Sequence, residues 1–280
     1  MSGVLDFMRG TWSIGVYTWR EGIRKKVLIA FLILSFLVIF GSQFITAYLT
    51  QTTVGQVESD VDAKLIKDIC VTAISIFGVL ITIFVSASAL PGEVENKVVY
   101  TILSKPVRRF QYLLGKFLGV QFIVIINLAL MGGLFFVALY VKQQVLPTLL
   151  LWSILLTYFQ FLIVSAFTFA VSCTSTSAVL PTIAGLFIYI AGNLTEYLAD
   201  VARRAGTTEQ FMDKLVGYLA DGLFRILPNL QSFSLKDQIL YLSPNDAPRD
   251  ALIPQLILYG LAYALSGYII SYLIFRRKEL

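Results

Sequence analysis

The sequence predicts an all-α integral membrane protein with six transmembrane helices, and two observations lead to this fold. Of the 280 residues, 57% are hydrophobic and only 14% are charged, whereas soluble domains carry roughly 45–50% apolar and about 25% charged residues. The apolar residues also form six uncharged or nearly uncharged runs, each close to the roughly 20 residues that a helix needs to cross a bilayer. These runs cover residues 27–49, 70–91, 117–141, 149–173, 178–198 and 252–275.

Residues 1–26 predict an interfacial helix that leads into the first span. Seven apolar residues recur there at steps of three and four, which places them on one helical face. They are Leu5, Met8, Trp12, Val16, Trp19, Ile23 and Val27. Basic residues flank this stripe, and tryptophan suits the headgroup layer of a membrane. The alternative is that the stripe packs on other protein.

The distribution of Lys and Arg predicts that both termini are cytoplasmic. In this orientation the cytoplasmic segments hold thirteen basic residues, and the two short outer loops hold three. Positive charge accumulates on the cytoplasmic side of membrane proteins. The net charge of +5 therefore indicates membrane orientation, and we expect no nucleic-acid partner.

The segment at 92–116, between spans two and three, is predicted to be a cytoplasmic coupling segment. Pro91 and Gly92 end the second span, and Pro106 divides the segment into two short helices because its ring displaces the preceding residue from helical geometry. The first helix is expected to expose Glu93, Lys97 and Thr101 to something polar. A short charged helix joined to two spans can pass a push from a soluble partner into the membrane. The alternative is a solvated loop whose positive charges only fix orientation.

The segment at 199–251, between spans five and six, is predicted to be extracytoplasmic. It contains an amphipathic stretch whose apolar face includes Phe211, Leu215 and Leu219. Four charges in this short stretch argue against an ordinary span. We expect helices that lie on the outer leaflet or dip into it as re-entrant segments, ending at Pro228 and Asn229.

Polar side chains within the spans have two interpretations. Gln43, Asn127, Gln160 and Asn193 are candidates to line a cavity, and the alternative for each is an ordinary hydrogen bond between helices. Gln43 is the preferred cavity candidate because first helices could line the seam of a dimer. Gly115 and Gly119 form a GxxxG motif, which we expect to serve close helix packing within one subunit.

Catalytic and metal sites are not expected. The chain has no histidine, and its two cysteines, Cys70 and Cys173, are too few for a disulfide framework. We interpret both cysteines as small hydrophobic residues at span ends. The chain also lacks a GxxxxGK[ST] phosphate loop, because Phe110 and Phe117 stand where a glycine and a hydroxyl residue are required around Gly115 and Lys116. We predict that the chain is not itself an enzyme.

Four features resemble the permease subunits of ABC-2 type transporters over nearly the whole chain. They are the interfacial helix, the stretch EVENK…TILSKPV…YLLGKFLG at 93–119, the phrase LPNLxxF at 227–233 and the terminal FRRKEL. The chain is most similar to the six-span branch that includes the permease of the nitrous oxide reductase copper-maturation system. The resemblance implies a single transmembrane domain over 1–280, in a multi-pass protein of the prokaryotic inner membrane.

The resemblance also implies partners. The loop after span two would be a coupling helix that docks on a nucleotide-binding subunit, and the permease would work as a dimer, here a homodimer. Two copies of a separate ATPase would hold ATP and Mg, while this chain binds no cofactor. An extracytoplasmic partner protein is a further expectation. The docking candidates by position are Glu93, Glu95, Asn96, Lys97, Ser104, Lys105, Pro106, Arg108 and Arg109.

Three functional hypotheses follow. The first is an ABC permease that couples ATP hydrolysis to export or to mechanical signalling across the membrane. The second is a secondary transporter or channel without an ATPase, although no ionisable residue lies mid-span and no span has a Gly-Pro break. The third is a structural anchor in a larger membrane complex, which the long outer segment keeps open.

Overall fold

The computed structural model is all-helical wherever it describes the chain. It describes residues 2–52, 59–95, 108–143, 148–195, 227–234 and 253–277, with isolated positions between 197 and 224. The helices are α1 (Ser2–Ile23), α2 (Lys26–Thr52), α3 (Ser59–Ala87), α4 (Pro91–Glu95), α5 (Arg109–Gln143), α6 (Thr148–Thr174), α7 (Val179–Asn193) and α8 (Ile253–Arg277), with a 3-10 turn at Gln231–Phe233. No strand occurs in this part of the chain.

The long helices α2, α3, α5, α6, α7 and α8 alternate in direction. Phe31 of α2 stacks on Phe84 near the end of α3, and Gln121 of α5 donates a 2.6 Å hydrogen bond to Ser165 of α6. One end of the bundle therefore carries the start of α2, the end of α3, the start of α5 and the end of α8. We call it the Lys25 end, and the opposite end the Asn193 end.

Each of the six predicted apolar runs overlaps one of these helices, but the number of spans stays a prediction. By length and composition, four described segments are able to cross a membrane: Ile66–Glu93, Arg109–Tyr140, Leu150–Thr174 and Ile253–Arg277. A fifth is counted if Phe7–Ile23 and Leu28–Phe44, which are bent by 63°, form one broken span. The apolar helix α7, at 15 residues, is shorter than the roughly 20 residues of a typical span.

Helix α6 forms the centre of the bundle because it contacts α3, α5, α7 and α8. It contains no charged residue, so it can be enclosed without the cost of burying a charge. Its contact with α8 is the most extensive in the described structure. Gly267 of α8 lies against the backbone of α6, where an added Cβ would be 3.0 Å from the Ala166 Cβ. Two helices approach this closely only where one side chain is small.

Helix α1 runs along the first turns of α5, and glycines of both helices form the contact. A Cβ added at Gly115 would lie 2.8 Å from the Thr11 carbonyl oxygen, and one at Gly119 would lie 2.7 Å from that of Gly15. The prediction that the GxxxG motif serves packing within one subunit is confirmed for this pair of helices.

The face of α1 that contacts α5 is not the apolar stripe. Thr11 and Thr18 are buried there, whereas Met8 and Trp12 of the stripe are 62% and 69% exposed. Trp19 is half-buried, with its ring edge-on to Phe122 at 5.6 Å. The stripe thus packs on protein only in part, and its contact with the membrane interface stays a prediction.

Candidate functional site

A cluster of polar side chains at the Lys25 end joins α1, α4 and α5 and the residue that follows α3. Glu93, the third residue of the short helix α4, is buried. Its Oε2 accepts a hydrogen bond from the Tyr112 hydroxyl, and its Oε1 accepts one from the Lys116 ammonium. Tyr112 and Lys116 lie one turn apart on α5, so they approach the carboxylate from the same helical face. We call these residues, with Tyr17, Glu21, Lys25 and Ser88, the Glu93 cluster.

Lys116 is the most enclosed charge in the cluster. Its side chain is 0% exposed, and an ion fully removed from water costs several kcal/mol unless it is paired. Glu93 supplies that pairing, Glu21 Oε2 lies 3.6 Å from the Lys116 ammonium, and the Tyr17 ring faces it at 5.4 Å. Two carboxylates and an aromatic face therefore compensate one buried ammonium, which ties α1 and α4 to α5.

Lys25 extends the cluster to α3. Its ammonium donates a 2.9 Å hydrogen bond to the Ser88 hydroxyl and a 3.3 Å bond to the Ser88 carbonyl. Glu21 Oε1 lies 3.6 Å away, one helical turn earlier. Burial lowers the pKa of Lys25, while the Glu21 carboxylate raises this pKa and the Lys116 charge lowers it further. Glu21 thus lies between two ammonium groups and holds both.

The start of α5 is fixed by Gln111. Its Oε1 accepts a 3.3 Å hydrogen bond from the Arg108 backbone N–H, as in one half of a capping box. Its Nε2 donates a 3.0 Å bond to the carbonyl of Phe7 in α1. One amide side chain thus ends the connecting segment and joins it to α1.

The same turn of α5 contacts the end of α8. Arg109 Nη1 donates a 3.1 Å hydrogen bond to the Arg276 carbonyl, and this cation at the last turn suits the negative end of the helix dipole. Below it, the Tyr112 ring stacks on Phe275 at 5.8 Å. The two ends of the segment at 96–107 are therefore bound to one body made of α1, α3, α5 and α8.

The predicted docking residues separate into three groups. The expectation that Glu93 is exposed is wrong, because Tyr112 and Lys116 enclose its carboxylate. Arg108 is exposed and Arg109 is half-buried at the start of α5. Asn96, Lys97, Ser104, Lys105 and Pro106, and the side chain of Glu95, lie outside the described residues.

Sequence reasoning missed Tyr112 and Lys116 as parts of the site. The sequence pattern indicates Lys116 only as a charge that fixes orientation and as part of an incomplete phosphate loop. A usable signal was present, since a lysine followed by a long apolar run must find a carboxylate if its helix is enclosed. The only acids in 92–116 are Glu93 and Glu95.

The polar residues within the spans form bonds of different kinds. Gln160 of α6 donates a 3.3 Å hydrogen bond to Asn193 of α7, which matches the interpretation as an ordinary interhelical bond. Asn127 bonds its own helix through Nδ2, and its Oδ1 is buried without a partner. A cavity of about 520 Å³ between α2, α3 and α7 is lined by none of these residues and not by Gln43. Their cavity role stays a prediction.

Comparison with known proteins gives one match. The sequence matches the model of a family described as ABC-2 family transporter protein, over residues 17–280. No curated protein matches the sequence. The family match does not separate branches, so the similarity to the copper-maturation permease stays a prediction. Since the match covers all but the first 16 residues, the chain belongs to the ABC-2 family of transporter proteins, which are multi-pass membrane permeases of ABC transporters.

Proposed function

We propose that this permease converts ATP hydrolysis by a separate nucleotide-binding subunit into movement of its membrane helices. The observation that carries the proposal is that both ends of the segment at 96–107 are fastened to the same body, one by the Glu93 cluster and the other by Gln111 and Arg109. A partner that pushes on a freely hinged loop would move only the loop. A push on a segment held by Glu93 at one end and by Arg109 at the other reaches the helices themselves.

The contacts define which helices respond. From Glu93 the path leads through Tyr112 and Lys116 to α5, and through Glu21 to α1. From Arg109 it leads to the last turn of α8. Two arrangements of the ATPase subunits would then favour two arrangements of these helices, because each would contact the segment differently. The result is export of a cargo or a mechanical signal to the other side of the membrane.

The complex that this function requires has two permease chains and two ATPase chains. Both termini, the Lys25 end and Arg108 face the cytoplasm, and the Asn193 end faces outward. ATP and Mg bind to the partner subunits, while Arg108, Arg109 and the segment between Glu95 and Arg108 supply the docking surface. In this role Glu93 positions the segment and does not touch the partner. An extracytoplasmic partner would meet the segment at 199–251.

The experiment is co-purification from native membranes. The tagged chain should retrieve a nucleotide-binding subunit at equal stoichiometry, and Arg108→Glu should lower the retrieved amount about tenfold, because a reversed charge in an interface costs more than 1 kcal/mol. Arg203→Glu is the matched control, since Arg203 is 82% exposed beyond the Asn193 end. Wild-type chain that retrieves no ATPase in mild detergent would contradict the function. Equal retrieval by Arg108→Glu would contradict the docking assignment.

A further inference from the structure

A cavity opens beside the Glu93 cluster, between α2, α3 and α7. Its volume is about 520 Å³, within the roughly 300–1,000 Å³ typical of small-molecule sites. Leu28 and Phe31 of α2 and Ile81 and Phe84 of α3 form its inner wall. Phe31 and Phe84 stack there with ring centroids 5.5 Å apart. Such a wall suits a hydrocarbon chain.

The rim of the cavity on the α7 side is also apolar and open. Val179 and Ile183 line the cavity and are 64% and 60% exposed. In the single chain these side chains leave the cavity open along α7. We take this opening to face the bilayer, which places it outside the contact between the two permease chains.

One end of the cavity is basic. Lys25 and Lys26 line it, and no acidic residue is among the described residues that do so. Lys26 is exposed. Helices α2 and α7 both begin at this end, which adds the partial positive charge of two helix N-termini to the two ammonium groups. Lys25 already has the Glu21 carboxylate 3.6 Å from its ammonium, so Lys26 is the ammonium that an anion at this end would neutralise.

The apolar wall and the basic end of the cavity together select one kind of ligand. A free anion would leave the apolar walls unused, and an uncharged lipid would leave the exposed Lys26 ammonium without a counter-charge among the described residues. A molecule with an anionic head and a hydrocarbon tail satisfies both. In a bilayer, anionic phospholipids are the abundant molecules of this form, and basic pockets between membrane helices bind their head groups.

We propose that the cavity binds one anionic phospholipid, with its phosphate at Lys25 and Lys26 and an acyl chain along Phe31 and Phe84. The lipid comes from the leaflet at the level of Lys25. That this leaflet is cytoplasmic rests on the orientation proposed above, whereas the site itself does not depend on it. Because Lys25 also bonds Ser88 and Glu21, the lipid head group contacts the Glu93 cluster directly.

Native mass spectrometry of the purified full-length protein tests this site. The delipidated protein is incubated with equal amounts of phosphatidylglycerol and phosphatidylcholine, and we expect one phosphatidylglycerol to be retained per chain in preference to phosphatidylcholine. Lys26→Gln should weaken phosphatidylglycerol binding about fivefold, from roughly 1 kcal/mol per basic residue. Arg24→Gln removes the same charge from an exposed residue that does not line the cavity and should have a smaller effect.

A second pair of variants tests the apolar half. Val179→Trp fills the cavity from its exposed rim and should abolish the preferential binding of phosphatidylglycerol. Leu180, also exposed on α7, does not line the cavity, so Leu180→Trp should leave this preference unchanged. Equal retention of both lipids, or unchanged binding by Val179→Trp, would overturn the proposal. The measurement needs no ATPase, so a permease that retrieved no nucleotide-binding subunit would leave this result unaffected.

Discussion

Replacing Glu93 with glutamine is expected to destabilise the protein by about 3 kcal/mol. The substitution keeps the volume of the side chain but leaves the buried Lys116 ammonium without its principal counter-charge. Breaking one partner of a buried ion pair typically costs about 3–5 kcal/mol. We expect the lower value because Glu21, 36% exposed, stays 3.6 Å from the ammonium. Reversible unfolding in mixed detergent micelles measures the free energy.

The double variant Glu93→Gln/Lys116→Met separates lost pairing from altered shape. Removal of both charges takes away the uncompensated ion, so the double variant should recover most of the lost stability. Asp200→Asn is the control, because Asp200 and Arg203 form an exposed pair at 3.9 Å, and exposed pairs contribute little. A Glu93→Gln protein as stable as this control would show that the carboxylate does not carry the cluster.

Gly119→Ala is expected to displace α1 from α5 and to destabilise the protein by about 2 kcal/mol, in the range of overpacked cores. The new methyl group would lie 2.6 Å from the Thr18 Cβ and 2.7 Å from the Gly15 carbonyl oxygen. The second contact is with backbone, which cannot rotate away, so the helices must separate.

Trp19 reports that separation. In a Trp12→Phe/Trp152→Phe background, Trp19 is the single tryptophan, and its ring packs edge-on against Phe122 of α5. Gly119→Ala should shift its emission to longer wavelength. A Cβ added at Gly133 in the same helix meets nothing within 4 Å. Gly133→Ala should therefore leave the Trp19 emission unchanged and should not destabilise the protein. The same emission from both variants would mean that α1 is not held by the glycine contact.

Local pattern predicted much of the fold. The six apolar runs each became a helix because an uncharged segment of this length satisfies its own backbone hydrogen bonds. Pro91 was predicted to end the second span, but α3 ends four residues earlier, at Ala87, and Pro91 begins α4, while the candidate span continues to Glu93. Close helix packing at the GxxxG motif could be predicted because four-residue spacing places Gly115 and Gly119 on one helical face.

The site was only partly predictable, because its contacts join residues far apart in the chain. Glu93 and Lys116 are 23 residues apart, and Lys25 and Ser88 are 63 apart. Helical periodicity gives the face of each helix but not which faces meet. Glu93 was therefore expected to face a polar partner, although its carboxylate accepts the Tyr112 hydrogen bond and is one of the two carboxylates near Lys116 among the described residues.

Photo-cross-linking from Arg108 in native membranes tests the central claim most directly. A photoreactive amino acid at Arg108 should form an adduct with a nucleotide-binding subunit, identified by a phosphate-loop peptide. The same amino acid at Tyr140, 51% exposed at the other end of α5, should form none. Adducts with the ATPase from Tyr140, or adducts from Arg108 with lipid alone, would contradict a motor that acts on the segment between Glu93 and Arg109.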